Sequence, residues 1–251
     1  MKNPKVRLDK LLVDRGLVPS RERSRALIMS GGVLVDEQKT DKAGALVPAD
    51  AVIRIKGEDH PYVGRGGVKL RGALAQFGIC VRGLVCLDVG ASTGGFTDCL
   101  LQEGAAKVYA LDVGYGQLAW RLRQDPRVIS IERTNIRHFD GRGLEDPIDL
   151  ATIDASFISL KQVVPAVLKL IKADAFVLAL IKPQFEVGRE MVEKRGVVRN
   201  PELHRQVIED MASFFDHNGL AVWGTGESPL TGPAGNREFF IYARRKQEAA
   251  T

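Results

Sequence analysis

Apolar residues in this chain follow two rhythms, and the change between them comes near residue 60. In the first stretch Leu8, Leu11 and Leu12, with Arg15, recur at helical spacing, and Gly16 stops the helix. A second helix is expected after Pro19-Ser20, with Ser20 as its N-cap and Glu22 in its first turn. It runs through Ala26, Leu27 and Met29 to Gly31-Gly32, and short alternating strands follow at 33–35 and 51–55. From Gly64 onward the rhythm becomes strand, helix, strand. Strands are expected at 85–89, 107–112, 128–131, 150–154 and 175–181, and helices at 96–102, 117–123 and 160–171. Asn200-Pro201 opens a long helix, because asparagine caps it and proline fits the first helical position, and Asn218-Gly219 closes it. Strands at 220–223 and 238–243 follow with no helix between them, which predicts an antiparallel pair ending an otherwise parallel sheet. The alternation predicts a doubly wound α/β domain behind a small α+β domain. The polar break Gly57-Glu-Asp-His-Pro61 divides them. The expected organisation is a small domain at 1–58, a linker at 59–63, the α/β domain at 64–246 and a tail at 247–251.

Composition adds a partner to this picture. The 251 residues are 45% hydrophobic and 27% charged, as in an ordinary globular protein. Net charge is +5, a mild pointer to a polyanion. The positive charge is concentrated early. Before Arg25 stand Lys2, Lys5, Arg7, Lys10, Arg15, Arg21 and Arg23, against Asp9, Asp14 and Glu22. Arg21, Arg23 and Arg25 bracket a helix start, which is a good seat for phosphate. RNA is the expected partner, held by Arg7, Lys10, Arg21, Arg23 and Arg25, with Arg65 at the later glycine turn; the plainer reading is a solvated basic face. Cys80, Cys86 and Cys99 form no paired motif, so no disulfide framework or zinc site is expected, and free thiols fit the cytoplasm. The N-terminus has no apolar signal core. The longest apolar run, 175–181, is far short of the roughly 20 residues of a membrane helix, so no stable membrane association is expected.

Candidate chemistry sits at the ends of the predicted strands, where open α/β sheets keep their sites. Lys69 follows a glycine turn, Asp154 and Lys182 end apolar runs, and Glu238 opens another. Singly, Lys69 reads equally as a helix surface lysine, Asp154 as a helix cap and Glu238 as a cross-strand charge partner. Together, two lysines and two carboxylates without a metal-ligand pattern point to proton abstraction from a weakly acidic hydroxyl. Lysine is a useful base only where its ammonium form is disfavoured, which a second lysine alongside achieves, with the carboxylates orienting the pair. Asp88-Val-Gly90-Ala-Ser92-Thr93-Gly94-Gly95-Phe96 reads as strand, glycine turn and helix start. It is neither a P-loop nor the usual dinucleotide fingerprint. Asp112, at the end of the next strand, suits a ribose diol, Asp88 a ligand ammonium and Asn135 an adenine. S-adenosylmethionine, with an amino-acid end, a ribose and no phosphate, suits such a loop. Phe157 and Phe185 stand beside the candidate catalytic residues, where they stack a flipped base or pack the core. The glycine-flanked segment 188–196 reads as a mobile loop.

These residues also carry a resemblance. Arg65-Gly-Gly-Val-Lys69-Leu70, Asp88 to Phe96, Asp154-Ala-Ser-Phe157-Ile-Ser, Lys182-Pro-Gln-Phe-Glu186 and Gly235-Asn-Arg-Glu238 resemble the FtsJ-like 2′-O-ribose methyltransferases in type and order. Arg7-Leu-Asp-Lys-Leu-Leu, Ser20-Arg21 and Gly32-Val-Leu-Val are similar to the small RNA-binding domain first named from a ribosomal protein. The whole chain resembles the haemolysin-A-like rRNA methyltransferases. The resemblance implies a Rossmann-like S-adenosylmethionine-dependent sheet and methylation of a cytidine 2′-hydroxyl in rRNA, in 23S alone or also in 16S. It puts Lys69, Asp154, Lys182 and Glu238 in the catalytic tetrad, with Lys182 as the base. It makes ribosomal subunits the partner. His60-Pro-Tyr-Val63 stands where the family has a linker used in cofactor binding, in place of an Arg-Ala-Trp-Val form. A membrane-lytic protein and a non-catalytic ribosome assembly factor are the rival readings.

Overall fold

A computed structural model describes residues 4–18, 20–29, 31–55, 60–193 and 195–246. Lys2, Pro19, the break at 57–59 and the tail at 247–251 lie outside the described residues. The chain divides into two compact units, Met1–Val63 and Gly64–Thr251.

In the first unit β1 (Lys5–Arg7) runs straight into α1 (Leu8–Asp14), and α2 (Arg21–Met29) follows. Four short strands complete it: β2 (Val33–Val35), β3 (Gln38–Lys39), β4 (Leu46–Pro48) and β5 (Ile53–Ile55). β1 pairs with β4, and β3, β2 and β5 form a second small sheet in that order. The helically spaced Leu8, Leu11 and Leu12 are buried with Ile28, Val33 and Val47 in one core. The expected cap is present, because Ser20 Oγ accepts the backbone N–H of Arg23 at 3.1 Å.

The second unit opens with α3 (Gly66–Phe77), β6 (Val85–Val89), α4 (Gly95–Gln102), β7 (Lys107–Leu111), α5 (Trp120–Arg123) and β8 (Val128–Ile131). It continues with β9 (Ile148–Ile153), α6 (Leu160–Val167), β10 (Ile171–Ile181), α7 (Pro183–Glu186), α8 (Pro201–His217), β11 (Leu220–Glu227) and β12 (Phe239–Arg245). Its seven strands are ordered β11-β12-β10-β9-β6-β7-β8. Strands β6 to β10 are parallel, and β12 runs antiparallel to both β10 and β11, as the missing helix between the last two strands predicts. Val163, Val167, Met211 and Phe215 of the helices pack on Ile153, Val177 and Ile241 of the sheet. The chain winds outward from β6 in both directions. The crevice at the ends of β6 and β9 is therefore the switch point where such sheets bind ligands.

Three differences from the sequence pattern have local causes. Helix α3 was not legible, because its glycine-rich start reads as a turn; it forms by burying Leu70, Ala73 and Leu74. The helix expected at 117–123 begins only at Trp120, since Ala119 N–H donates to Thr93 O at 3.1 Å and keeps the preceding loop against β6. The helix expected at 160–171 ends at Val167, because Ile171 already pairs with Ile148 in the sheet. The segment at 188–196 holds a 3-10 turn at Arg189–Met191 and a bridge between Glu193 and Val197. Among the described residues no helix is long and apolar enough to cross a membrane.

Candidate active site

The glycine loop after β6 is shaped by close approach. Gly90 has φ +87°, and a Cβ there would stand 2.7 Å from Asp154 O. Only glycine lets this loop cross the end of β9. Its neighbour Ser92 donates its N–H to Asp112 Oδ2 at 2.7 Å, and Gly114 N–H donates to Asp112 Oδ1 at 2.6 Å. A cavity of about 700 Å³ opens beside them, lined by Gly90, Ser92, Asp112, Asn135 and Asp154 among others. That volume suits a cofactor-sized ligand. Leu111, Ile136 and Val163 give it apolar walls. Asn135 Oδ1 accepts Arg137 N–H at 3.1 Å, which leaves its amide N–H₂ as donor. Each Asp112 oxygen has a lone pair beyond its backbone bond. A nucleoside's ring and diol therefore fit this wall.

Other residues expected at the cofactor stand back from it. Asp88 has no exposed surface and does not line the cavity. Thr97 Oγ1 donates to its Oδ2 at 2.7 Å and Thr152 Oγ1 to its Oδ1 at 3.2 Å, so the β6 register seals it between α4 and β9. Burial pushes its pKa up to about 7. The expected contact of Asp88 with a ligand ammonium is thus not made by this geometry. Thr93, Gly94, Gly95 and Phe96 are likewise outside the lining. A Cβ on Gly95 would meet Gly67 N at 3.0 Å and Gly64 O at 3.2 Å, so Gly95 seats the start of α3. Phe96 packs its ring 6.2 Å from that of Phe240. Two glycine motifs far apart in sequence therefore meet, and their contact positions Lys69 one turn into α3.

The four candidate catalytic residues resolve into two ion pairs. Register pairs Ile181 with Phe239 and Ile153 with Ala179, so Lys182, Glu238 and Asp154 all leave the sheet at one edge. Lys69 Nζ, from α3, donates to Glu238 Oε2 at 2.5 Å, with both residues buried. Lys182 Nζ lies 2.6 Å from Asp154 Oδ1 and donates to Ser156 Oγ at 2.7 Å. Asp154 Oδ1 is buried yet receives no aligned hydrogen bond. Its contact with Lys182 is an ion pair by distance. Each lysine is held by a carboxylate of its own.

Three supporting residues carried no charge or spacing signal, although each lies within a motif. Ser156 holds Lys182, as above. Glu186 accepts Ser159 Oγ at 2.6 Å and Leu160 N–H at 2.8 Å, tying the segment after Lys182 to the segment after Asp154. Burial raises the pKa of that carboxyl. Asn236 Oδ1 accepts Val198 N–H at 2.9 Å and its amide donates to Gly196 O at 2.8 Å, fixing the chain before Glu238. Phe157 lines the cavity at 91% exposure with φ +64°, and its ring centroid is 5.3 Å from that of Phe185. An exposed aromatic side chain held in a left-handed backbone is a strained arrangement.

In the first unit Arg7, Arg21 and Arg25 converge on Asp9, and Lys10 is exposed. Arg23 turns elsewhere, donating to Tyr62 O at 2.7 Å and His60 O at 3.0 Å. In the second unit Arg65 is exposed and donates to Thr231 O at 3.2 Å.

Comparison with known proteins agrees with this architecture. Residues 62–245 match the FtsJ-like methyltransferase family and residues 6–53 the S4 domain. The chain is 46% identical over 243 residues to a candidate rRNA methyltransferase, YqxC, of Bacillus subtilis, covering 96% of this chain and 86% of the relative. It is 44% identical over 247 residues to the 16S/23S rRNA (cytidine-2′-O)-methyltransferase TlyA of Mycobacterium tuberculosis, covering 98% and 92%. A solved structure of a candidate hemolysin from Streptococcus thermophilus superposes with a TM-score of 0.76 at 42% identity, covering 97% of this chain and 89% of that one. The chain belongs to the FtsJ-like methyltransferase family, with an S4 domain at its N-terminal end.

Proposed function

We propose that the protein transfers a methyl group from S-adenosylmethionine to the 2′-hydroxyl of a cytidine in ribosomal RNA. 23S rRNA is the first substrate and 16S rRNA the second. The carrying observation is the pair of buried Lys182 with half-buried Asp154, whose carboxylate also lines the 700 Å³ cavity. A base for the acceptor and a wall for the donor thus share one residue. Family membership and the full-length relatives named for rRNA methylation support the same reading. A cytoplasmic site of action follows from a ribosomal substrate.

The donor supplies an electrophilic methyl on a sulfonium sulfur. Asp112 would hold its ribose diol, Asn135 and the apolar wall its base, and the Gly90–Ser92 backbone the near side. The chain's part is orientation and proton removal. Lys182, once its own ammonium proton has left to solvent, takes the 2′-hydroxyl proton as general base, and Asp154 and Ser156 fix its Nζ for that transfer. The Lys69–Glu238 pair closes the other side of the edge without adding net charge. Phe157, exposed at the cavity mouth, stacks the target base once it leaves its helix. Positioning of a weak nucleophile in line with the methyl supplies much of the rate.

The test is mass mapping of ribose methylation in rRNA incubated with the protein and S-adenosylmethionine. Isolated subunits, assembled ribosomes and naked rRNA are each offered. A new 2′-O-methylcytidine is expected in each rRNA that serves as substrate, 23S first. Unmodified ribose in every form of substrate would sink the proposal.

A further inference from the structure

Asp9 has no exposed surface, and the charges gathered on it are positive from three positions. Arg7, just before α1, holds it with Nε on Oδ1 at 3.0 Å and Nη2 on Oδ2 at 3.1 Å. Arg21, which opens α2, reaches Oδ2 with Nη2 at 3.0 Å. Arg25, one turn later, reaches the same oxygen with Nε at 3.3 Å. Guanidiniums brought this close repel one another, by about 1 kcal/mol per pair at 4 Å even in bulk water. The shared carboxylate offsets that repulsion. Its pKa is held well below the usual carboxylate range, with the Arg7 hydrogen bonds the largest cause. Three guanidiniums against one carboxylate still leave the cluster positive by two charges. The arginine side chains keep 48%, 52% and 54% exposure, so that excess faces solvent. Each guanidinium carries five N–H donors, and Asp9 takes two from Arg7 and one from each of the others.

We propose that Asp9 is the positioning residue of an RNA phosphate seat, a buried carboxylate that gathers Arg7, Arg21 and Arg25 into one preorganised site without touching the RNA. The proposal rests on the RNA-substrate reading above. It makes a prediction opposite in sign to simple charge counting. Removing an acid from a basic face raises net charge and, by counting alone, tightens RNA binding. Removing the organiser lets the three arginines separate and weakens it, because ordering them is then left to the binding event.

The experiment uses the full chain and in-vitro transcribed 23S rRNA, with affinity measured across a salt series. Asp9→Asn is compared with Asp14→Asn, which makes the same charge change at an exposed position on the same helix. Asp9→Asn is expected to weaken binding about 5- to 20-fold and to shrink the salt slope by roughly one phosphate's worth. Asp14→Asn is expected to bind as tightly as wild type or more so. Equal affinity of the two variants, with Asp9→Asn folded, overturns the proposal and leaves the RNA reading intact. Wild-type protein that fails to bind rRNA overturns both. Should Asp9→Asn lose its fold, the cycle of Arg21→Gln, Arg25→Gln and the double variant decides. Arginines acting as one seat lose little more together than the worse single variant loses, whereas additive losses overturn the proposal.

Discussion

Two charged clusters of this protein combine cations and carboxylates in opposite ways. In the first unit three half-exposed arginines share one buried acid, and the cluster is positive. In the second, two buried lysines each have a carboxylate of their own, and the set is neutral. The difference fits the role proposed for each. A polyanion is held by excess charge at the surface, where water screens the cost of keeping like charges together. Chemistry on an uncharged hydroxyl needs no excess, but it needs groups held at fixed distances, which burial and pairing provide. Ratio and exposure, together with the choice of arginine or lysine, separate the cluster proposed to bind from the one proposed to react.

Lys182→Ala is the strongest way to break this contrast. It is expected to lower methyl transfer at saturating RNA by about 10²- to 10⁴-fold, with RNA affinity unchanged. A loss of affinity instead would make the buried set a binding cluster. Lys69→Ala comes next. It leaves Glu238, 1% exposed, as a buried carboxylate without its partner, and thermal or denaturant unfolding is expected to lose about 3–5 kcal/mol. Arg21→Gln is the counterpart in the other cluster. A half-exposed pair contributes about 0–1 kcal/mol, so stability barely moves, while the salt slope of rRNA binding falls by about one. Glu186→Gln sharpens the picture further. It keeps the side chain's size but weakens the tie between the segments after Asp154 and Lys182, so kcat is expected to drop about tenfold with KM nearly constant, a split that single-substrate kinetics resolves.

Two effects on pH dependence differ in sign. Asp9 titrates below its usual range, so the stability it contributes is present above about pH 4 and is lost as pH falls. Asp88 is raised from 3.8 to about 7, so it costs stability as pH climbs through that interval. Melting curves at several pH values should flatten below pH 4 in Asp9→Asn and between roughly 4 and 7 in Asp88→Asn. An unchanged profile in either variant breaks the assignment for that residue.

Much of the fold was legible because the second unit alternates cleanly. Apolar runs bounded by glycine and proline gave its strands, and Asn200-Pro201 gave the start of α8. Helix α3 was hidden, since glycine at its start satisfies packing against Gly95 and Phe96 and not local propensity. Four candidate residues stood out in the sequence, three at strand ends and Lys69 after a glycine turn, but their pairing did not, because which lysine meets which carboxylate depends on how α3 and the strands are placed. Asp88 misled for a related reason. A polar residue at a strand end reads as a ligand contact, yet the alternation of the strand turned this one inward, toward Thr97 and Thr152. Asp9 was read only as a subtraction from the basic charge, because a net count carries no information about burial.

The most direct test of the whole account is single-turnover methyl transfer to 23S rRNA, with affinity and rate measured separately for wild type, Lys182→Ala and Arg21→Gln. The account predicts that Lys182→Ala binds rRNA normally and methylates it about 10²- to 10⁴-fold more slowly. It predicts that Arg21→Gln binds weakly and, at saturating RNA, methylates at the wild-type rate. The reverse pattern, or a fall in both quantities for both variants, would contradict the division of binding and chemistry between the two clusters.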